Sequence, residues 1–156
     1  MPSALPGSAL RLAVLGRYLG LSAAGHLAWE VVQLPLYTIW TTGSVQENAF
    51  AVAHCTVGDI LIATSTLVVA LLLLGNRNWP AERFGRVLGA ALAFGVAYTI
   101  YSEWLNTTVR ASWAYSPLMP IVPVIGTGLS PLLQWVVVPL LAMQLAVGRR
   151  IGSRSR

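Results

Sequence analysis

Four apolar stretches dominate the chain, running from about Tyr18 to Trp40, Ala51 to Gly75, Phe84 to Leu105 and Leu129 to Val147. Crossing the hydrocarbon core of a bilayer takes about 20 mainly apolar residues at 1.5 Å per residue, and each stretch reaches that length. Between them lie segments rich in Gly, Pro, Asn and Arg, such as GNRNWPAERFGR. A further segment, Thr107 to Gly128, is apolar but holds Pro117, Pro120 and Pro123, so it cannot be one regular helix. The pattern predicts an all-α integral membrane protein, a single transmembrane bundle over 1–156. Its spans fall at about 18–40, 51–75, 84–105 and 129–147, with an ordered proline-rich outer loop over 107–128.

Composition agrees with that solvent. Of 156 residues, 56% are apolar and only 10% charged, against about 25% charged in soluble domains. The single cysteine, Cys55, excludes a disulfide scaffold. The net charge of +5 comes from ten arginines and no lysine against five acids. No basic, aromatic patch of the kind that binds nucleic acid is present.

The arginines instead read as topology signals. Two lie near the N-terminus, three between the second and third stretches and four in the tail, whereas the other two connections hold only Arg110. Basic loops stay cytoplasmic, so four spans with both termini in the cytoplasm are expected, in a cytoplasmic (inner) membrane. The N-terminal apolar run has no small-residue cleavage site and reads as a retained helix. Trp40, Trp104, Trp113 and Tyr115 on one boundary and Trp79 on the other sit where interfacial aromatic belts are expected.

The spans also carry polar groups. An ionisable side chain at the bilayer centre costs about 2.5 to 3.5 kcal/mol on insertion scales, so such residues are rare and face a bundle interior or a cavity. On the first stretch His26, Glu30, Gln33 and Tyr37 follow at spacings of four, three and four, one face of a helix, with a kink expected at Pro35. The second supplies His54 and Asp59, too far apart around the axis to share one partner. The third places Thr99, Glu103 and Asn106 on one stripe beside Tyr98 and Ser102, and the fourth adds Ser130, Gln134, Trp135 and Pro139. All these groups fall in the outer half of the bundle, beneath the proline-rich loop. The inner half reads as aliphatic, as in STLVVALLLL and VVVPLLAM.

A polar cavity open toward the outer face follows as the expectation. Glu30, His26, Asp59 and Glu103 would be its chemical groups, and Gln33, Tyr37, His54, Tyr98, Asn106, Gln134 and Trp135 its ligand contacts. No metal-ligand spacing such as HExxH or CxxC is present; haem held between His26 and His54 is the cofactor option the histidines leave open. Cys55 points about 100° away from its neighbour His54, so nucleophilic catalysis has no base. General acid–base chemistry fits best, because a carboxyl group held out of water can keep and return a proton near neutral pH.

His26 and Glu30 four apart on the first helix, with Gln134, Trp135 and Pro139 on the last, give the chain a resemblance to the emopamil-binding-protein-like (EXPERA) four-helix membrane isomerases. That resemblance implies a membrane bundle that shifts a double bond in a lipid-like or isoprenoid substrate. It departs from the family on the second helix, where His54 and Asp59 have no counterpart. Two other classes compete: a proton or solute transporter, against which the aliphatic inner half stands, and an accessory subunit that docks a partner through its outer loop.

Overall fold

The computed structural model describes residues 7–151, with side chains over 7–148. Four long helices carry the chain, α1 (Gly7–Gln33), α3 (Val45–Leu74), α4 (Phe84–Trp104) and α5 (Leu129–Ile151), and a single turn, α2 (Ile39–Thr42), sits between the first two. No strand occurs among the described residues; extended pairing is confined to two bridges, Tyr37 with Tyr115 and Ile121 with Gly128. α1 packs on α3 and α5, and α4 packs on the same two, so the helices stand in a ring. Each connection turns the chain back, which leaves consecutive long helices antiparallel.

Local chemistry moves several boundaries from their sequence-based positions. The first helix begins at Gly7 and stops at Gln33 rather than spanning 18–40. Pro35 ends it, where a kink was expected, because the chain passes into a 3₁₀ turn at Leu34–Leu36 and Tyr37 is already extended. The second helix starts at Val45, six residues before the expected Ala51. Its first turn is closed by a capping box: Ser44 N–H donates to Glu47 Oε2 at 2.8 Å and Glu47 N–H donates to Ser44 Oγ at 3.3 Å. α4 ends at Trp104 and continues as a π turn over Leu105–Val109, taking the first residues of the expected 107–128 loop.

Three helices, Val45–Leu74, Phe84–Val109 and Leu129–Gly148, are long and apolar enough to cross a membrane. Their outer faces are apolar and bare, with Leu72 79% and Val57 58% exposed. Hydroxyls within them bond back to their own helix, as Thr56 does to Val52 O (2.7 Å) and Thr64 to Ile60 O (2.6 Å). No such group is then left unpaired in an apolar medium. α1 is long enough as well, about 40 Å, but it carries Arg11, Arg17, His26 and Glu30.

The bundle has two unlike ends. At the tail end, near the 75–83 connection and the start of α1, Val14, Leu67, Val87 and Met143 pack with Ala63, Ala70 and Ala146 in one buried cluster. At the loop end, segment 110–128 lies over the helix ends and is laced to residues 35–38. Thr38 N–H donates to Ala114 O at 2.9 Å, Ser116 N–H to Leu36 O at 2.9 Å and Ser116 Oγ to Pro35 O at 3.0 Å.

Candidate functional site

Gln134, fully buried on α5, is the point on which the loop-end polar groups converge. Its Nε2 donates to Asp59 Oδ2 at 2.9 Å and to Glu30 Oε1 at 3.0 Å, and stands 3.0 Å from His26 Nδ1. Its Oε1 accepts from Gln33 Nε2 at 3.2 Å, and Gln33 Nε2 also donates to Glu30 Oε1 at 2.8 Å. A primary amide nitrogen has two hydrogens, yet three acceptors surround this one. The accounting closes when the third proton sits on His26 Nδ1, which lies 3.4 Å from Asp59 Oδ2.

Two glycines make the convergence possible. A Cβ on Gly25 would stand 2.8 Å from Val138 Cγ1, and one on Gly95 would run into the ring of Trp135. α5 thus presses its Gln134–Trp135 pair between α1 and α4. The Trp135 ring, 5.1 Å from the His26 imidazole, backs that ring against the cluster.

Above the cluster lies a cavity of about 820 Å³, with Glu30, Asp59, Gln134 and Trp135 at its floor and Glu47 and Arg110 at its mouth. Such a volume suits a drug-sized or lipid-like molecule. Gln33 and Tyr37 line the wall from the first helix and its end; Tyr98, Glu103 and Asn106 line it from α4 and the π turn. The expectation that Tyr37 continues the helical stripe is corrected. It sits beyond the helix end, its ring 5.6 Å from that of Tyr115.

Glu103 belongs to a second group in the same cavity. It accepts a short hydrogen bond from the Tyr115 hydroxyl, which in turn accepts from Gly128 N–H at 3.0 Å. Tyr115 thereby pins both ends of the loop to α4. His54 stays apart from the cluster; its ring stacks on Phe50 at 5.6 Å at the cavity wall, so the two histidines are not brought together. Asn106 turns its amide to Ser102 O at 2.9 Å, and Tyr98 packs on Tyr101. Among the described residues no group of three or more His, Cys, Asp or Glu is placed to hold a metal ion.

Trp29, which the linear reading passed over, completes the site. Trp29 Nε1 donates to Ser130 Oγ at 3.1 Å and Ser130 Oγ to Gln33 Oε1 at 2.9 Å, which fixes the amide of Gln33 for its two outgoing bonds. The inner half is also less aliphatic than it reads, since Tyr18 and Ser22 are buried on α1 below His26. The successive four-residue spacing of Tyr18, Ser22 and His26 was the available signal. Compared with models of known protein families, with curated proteins and with solved structures, the chain matches none.

Proposed function

We propose that this protein is a multi-pass membrane protein of four spans, with both termini cytoplasmic, that binds a lipid-like small molecule in the loop-end cavity and moves a proton on it. The observation that carries this reading is the joining of Glu30, Asp59 and His26 through one amide at the floor of an 820 Å³ cavity. With α1 as a span, the nine-to-one division of arginines puts the loop end outside. The polar stripe of α1 then faces its neighbours and the cavity, where an ionisable group is tolerated.

In this mechanism one carboxyl of the Glu30–Asp59 pair gives a proton to one alkene carbon of the ligand, which leaves the cation on the other, and the other carboxylate removes a proton from the next carbon beyond the cation, which shifts the double bond. Gln134, bonded to both carboxyls, and Gln33, bonded to Glu30 and to Gln134, hold the pair in register. His26, its Nδ1 3.4 Å from Asp59 Oδ2, is the partner that orients that carboxyl. The likeness of His26, Glu30, Gln134, Trp135 and Pro139 to EXPERA isomerases supports a lipid-like or isoprenoid ligand.

The test is deuterium incorporation. Purified protein in detergent is incubated in D₂O with a panel of isoprenoid alkenes, and the carbon-bound label is read by mass spectrometry. Wild-type protein should label at least one alkene with or without net isomerisation. No label in any alkene, together with no alkene or lipid retained through purification, would refute the acid–base reading.

A further inference from the structure

In a four-span topology Arg110 is the one basic residue on the outer side, against nine arginines on the other. A topology signal does not account for it, because basic loops belong to the cytoplasmic side. It stands instead at the mouth of the cavity, with Gln46 and Ser112 on the same rim. The local backbone sets it there. The π turn adds a residue to the last turn of the helix, so that Arg110 N–H donates to Leu105 O at 2.8 Å, and Ser112 N–H then donates to Asn106 O at 2.8 Å. Between Arg110 and Ser112, Ala111 takes a left-handed conformation at φ 50, which is costly for a residue with a Cβ. The Arg110 side chain is exposed and has no hydrogen bond or ion pair among the described residues. The acid on this rim, Glu47, is turned onto Ser44, whose N–H and Oγ both donate to its Oε2 at 2.8 Å.

The depth of the cavity has the opposite character. Glu30, Asp59 and Glu103 line it, and each already accepts from the protein, the first two from Gln134 and the third from Tyr115. The ionic group of the cavity still without a partner is therefore Arg110. Phe50, His54 and Tyr98 line the cavity and are also exposed, so its side stands open between α3 and α4. An apolar chain can enter there from the bilayer while its head stays at the interface. We infer, resting on the lipid-like ligand proposed for this cavity, that the ligand is an amphiphile with an anionic head, a phosphate or carboxylate, held by Arg110 at the mouth while its alkenyl chain runs down to Glu30 and Asp59. The guanidinium presents parallel N–H donors that match either head, and the Ser112 hydroxyl and Gln46 amide add neutral donors on the same rim. The acids below repel an anion, which fixes the direction in which the molecule lies. Glu47 at the mouth and Asp59 at the floor share α3, twelve residues apart, so the reacting double bond lies about 18 Å from the head.

The experiment measures binding, which reads independently of turnover. Full-length protein in an uncharged detergent is titrated with four amphiphiles that share the farnesyl chain and differ in the head: phosphate, carboxylate, alcohol and amine. Farnesyl phosphate should bind about tenfold or more tighter than farnesol, the scale of a hydrogen bond to a charged group, with the carboxylate between them. Added salt should erode that preference. Arg110→Ala should bring the ratio of phosphate to alcohol affinity close to one, and Arg110→Lys should restore part of it, because the charge returns without the fork. Melting near the wild-type temperature shows that each variant is folded, and the head series on the wild type does not depend on them. Dioleoyl phosphatidic acid as a competitor separates the two sources of such a head: displacement of farnesyl phosphate assigns the site to a bilayer phospholipid, and no displacement assigns it to a single-chain prenyl anion. Equal affinity for all four heads, tightest binding of the amine, or a ratio unmoved by Arg110→Ala would overturn the anionic-head site. A phosphate preference with no alkene labelled in D₂O leaves this site standing and removes the acid–base reading; labelling with no preference does the reverse.

Discussion

At the tail end Ala63, Ala70 and Ala146 have almost no exposed surface and Val87 and Met143 fill the space between them, whereas at the loop end the same helices turn Glu30, Asp59, Glu103 and Gln134 inward. In lipid, helix association gains nothing from hiding one apolar surface rather than another. It rests on close approach through small residues and on hydrogen bonds between helices. The tail end uses the first means. The loop end uses the second, through Gln134 and the laced loop, and leaves an opening of 820 Å³. One half of the bundle is thus built for cohesion and the other for access, and changes in each should be felt differently.

The sharpest break in that division comes from Glu30→Gln. It keeps size and most hydrogen bonding but removes the exchangeable proton. Proton transfer on a bound alkene should fall by about 10²-fold or more, while the melting temperature in detergent should hold or rise, because functional acids are retained at the expense of stability. Lower stability with full deuterium incorporation would make Glu30 a structural tie and erase the contrast between the halves.

Gly95 tests the junction of the two. A methyl there meets the Trp135 ring, and Gly89, two turns toward the tail end, has open space around it. Gly95→Ala should destabilise by about 1 to 3 kcal/mol through overpacking and shift the Trp135 fluorescence, whereas Gly89→Ala should be neutral or gain up to about 1 kcal/mol. Equal thermal shifts for the two variants would mean that Trp135 is not wedged against α4.

The third change concerns the loop itself. Tyr115→Phe deletes both the bond to Glu103 and the bond from Gly128 N–H. A buried hydrogen bond contributes about 0.5 to 1.5 kcal/mol net, so amide exchange over 110–128 should quicken by about tenfold with the tail-end helices unaffected. Exchange that quickens throughout the bundle would show that the loop is part of one cooperative unit with the tail end.

What could be read from the linear chain follows the same division. Apolar length located α3, α4 and α5 well, because lipid-facing helices must be apolar on every outward turn. It misplaced α1: the termination at Pro35 depends on where the 3₁₀ turn can hand its chain to the loop, a contact with Leu36 and Ser116 from distant parts of the sequence. The early start of α3 was legible as Ser44–Val45–Gln46–Glu47, a capping-box pattern that hydropathy alone overlooks. Four-residue spacing gathered His26 and Glu30, and the same spacing carried back reaches Ser22 and Tyr18, both buried. Gln134 as the meeting point was not legible, since it depends on Gly25 and Gly95 letting α5 approach. Neither was the Tyr115–Glu103 tie, which joins a loop to a helix across a turn of irregular backbone.

The smallest effect lies at the tail end's own surface. In the 75–83 connection the side chains of Asn78 and Asn76 each donate to Glu82 at 2.7 Å. Those two bonds, Asn78 first, hold the Glu82 carboxyl below its usual value of 4.5. The folded value lies under the unfolded one, so the tie stabilises the connection above that usual value and is lost as pH falls through the lowered folded value. Glu82 is fully exposed, and water and salt screen the contact, so global melting should barely move. Amide exchange over 75–83 should nonetheless quicken on acidification, and Glu82→Gln at neutral pH should reproduce part of that change, because an amide accepts from the two asparagines less strongly than a carboxylate. The aliphatic core beneath should not respond, since no titratable side chain of the connection enters it. If the core amides of α3 and α4 quicken together with the connection, then the tail end depends on its polar surface after all, and cohesion there cannot be assigned to packing alone.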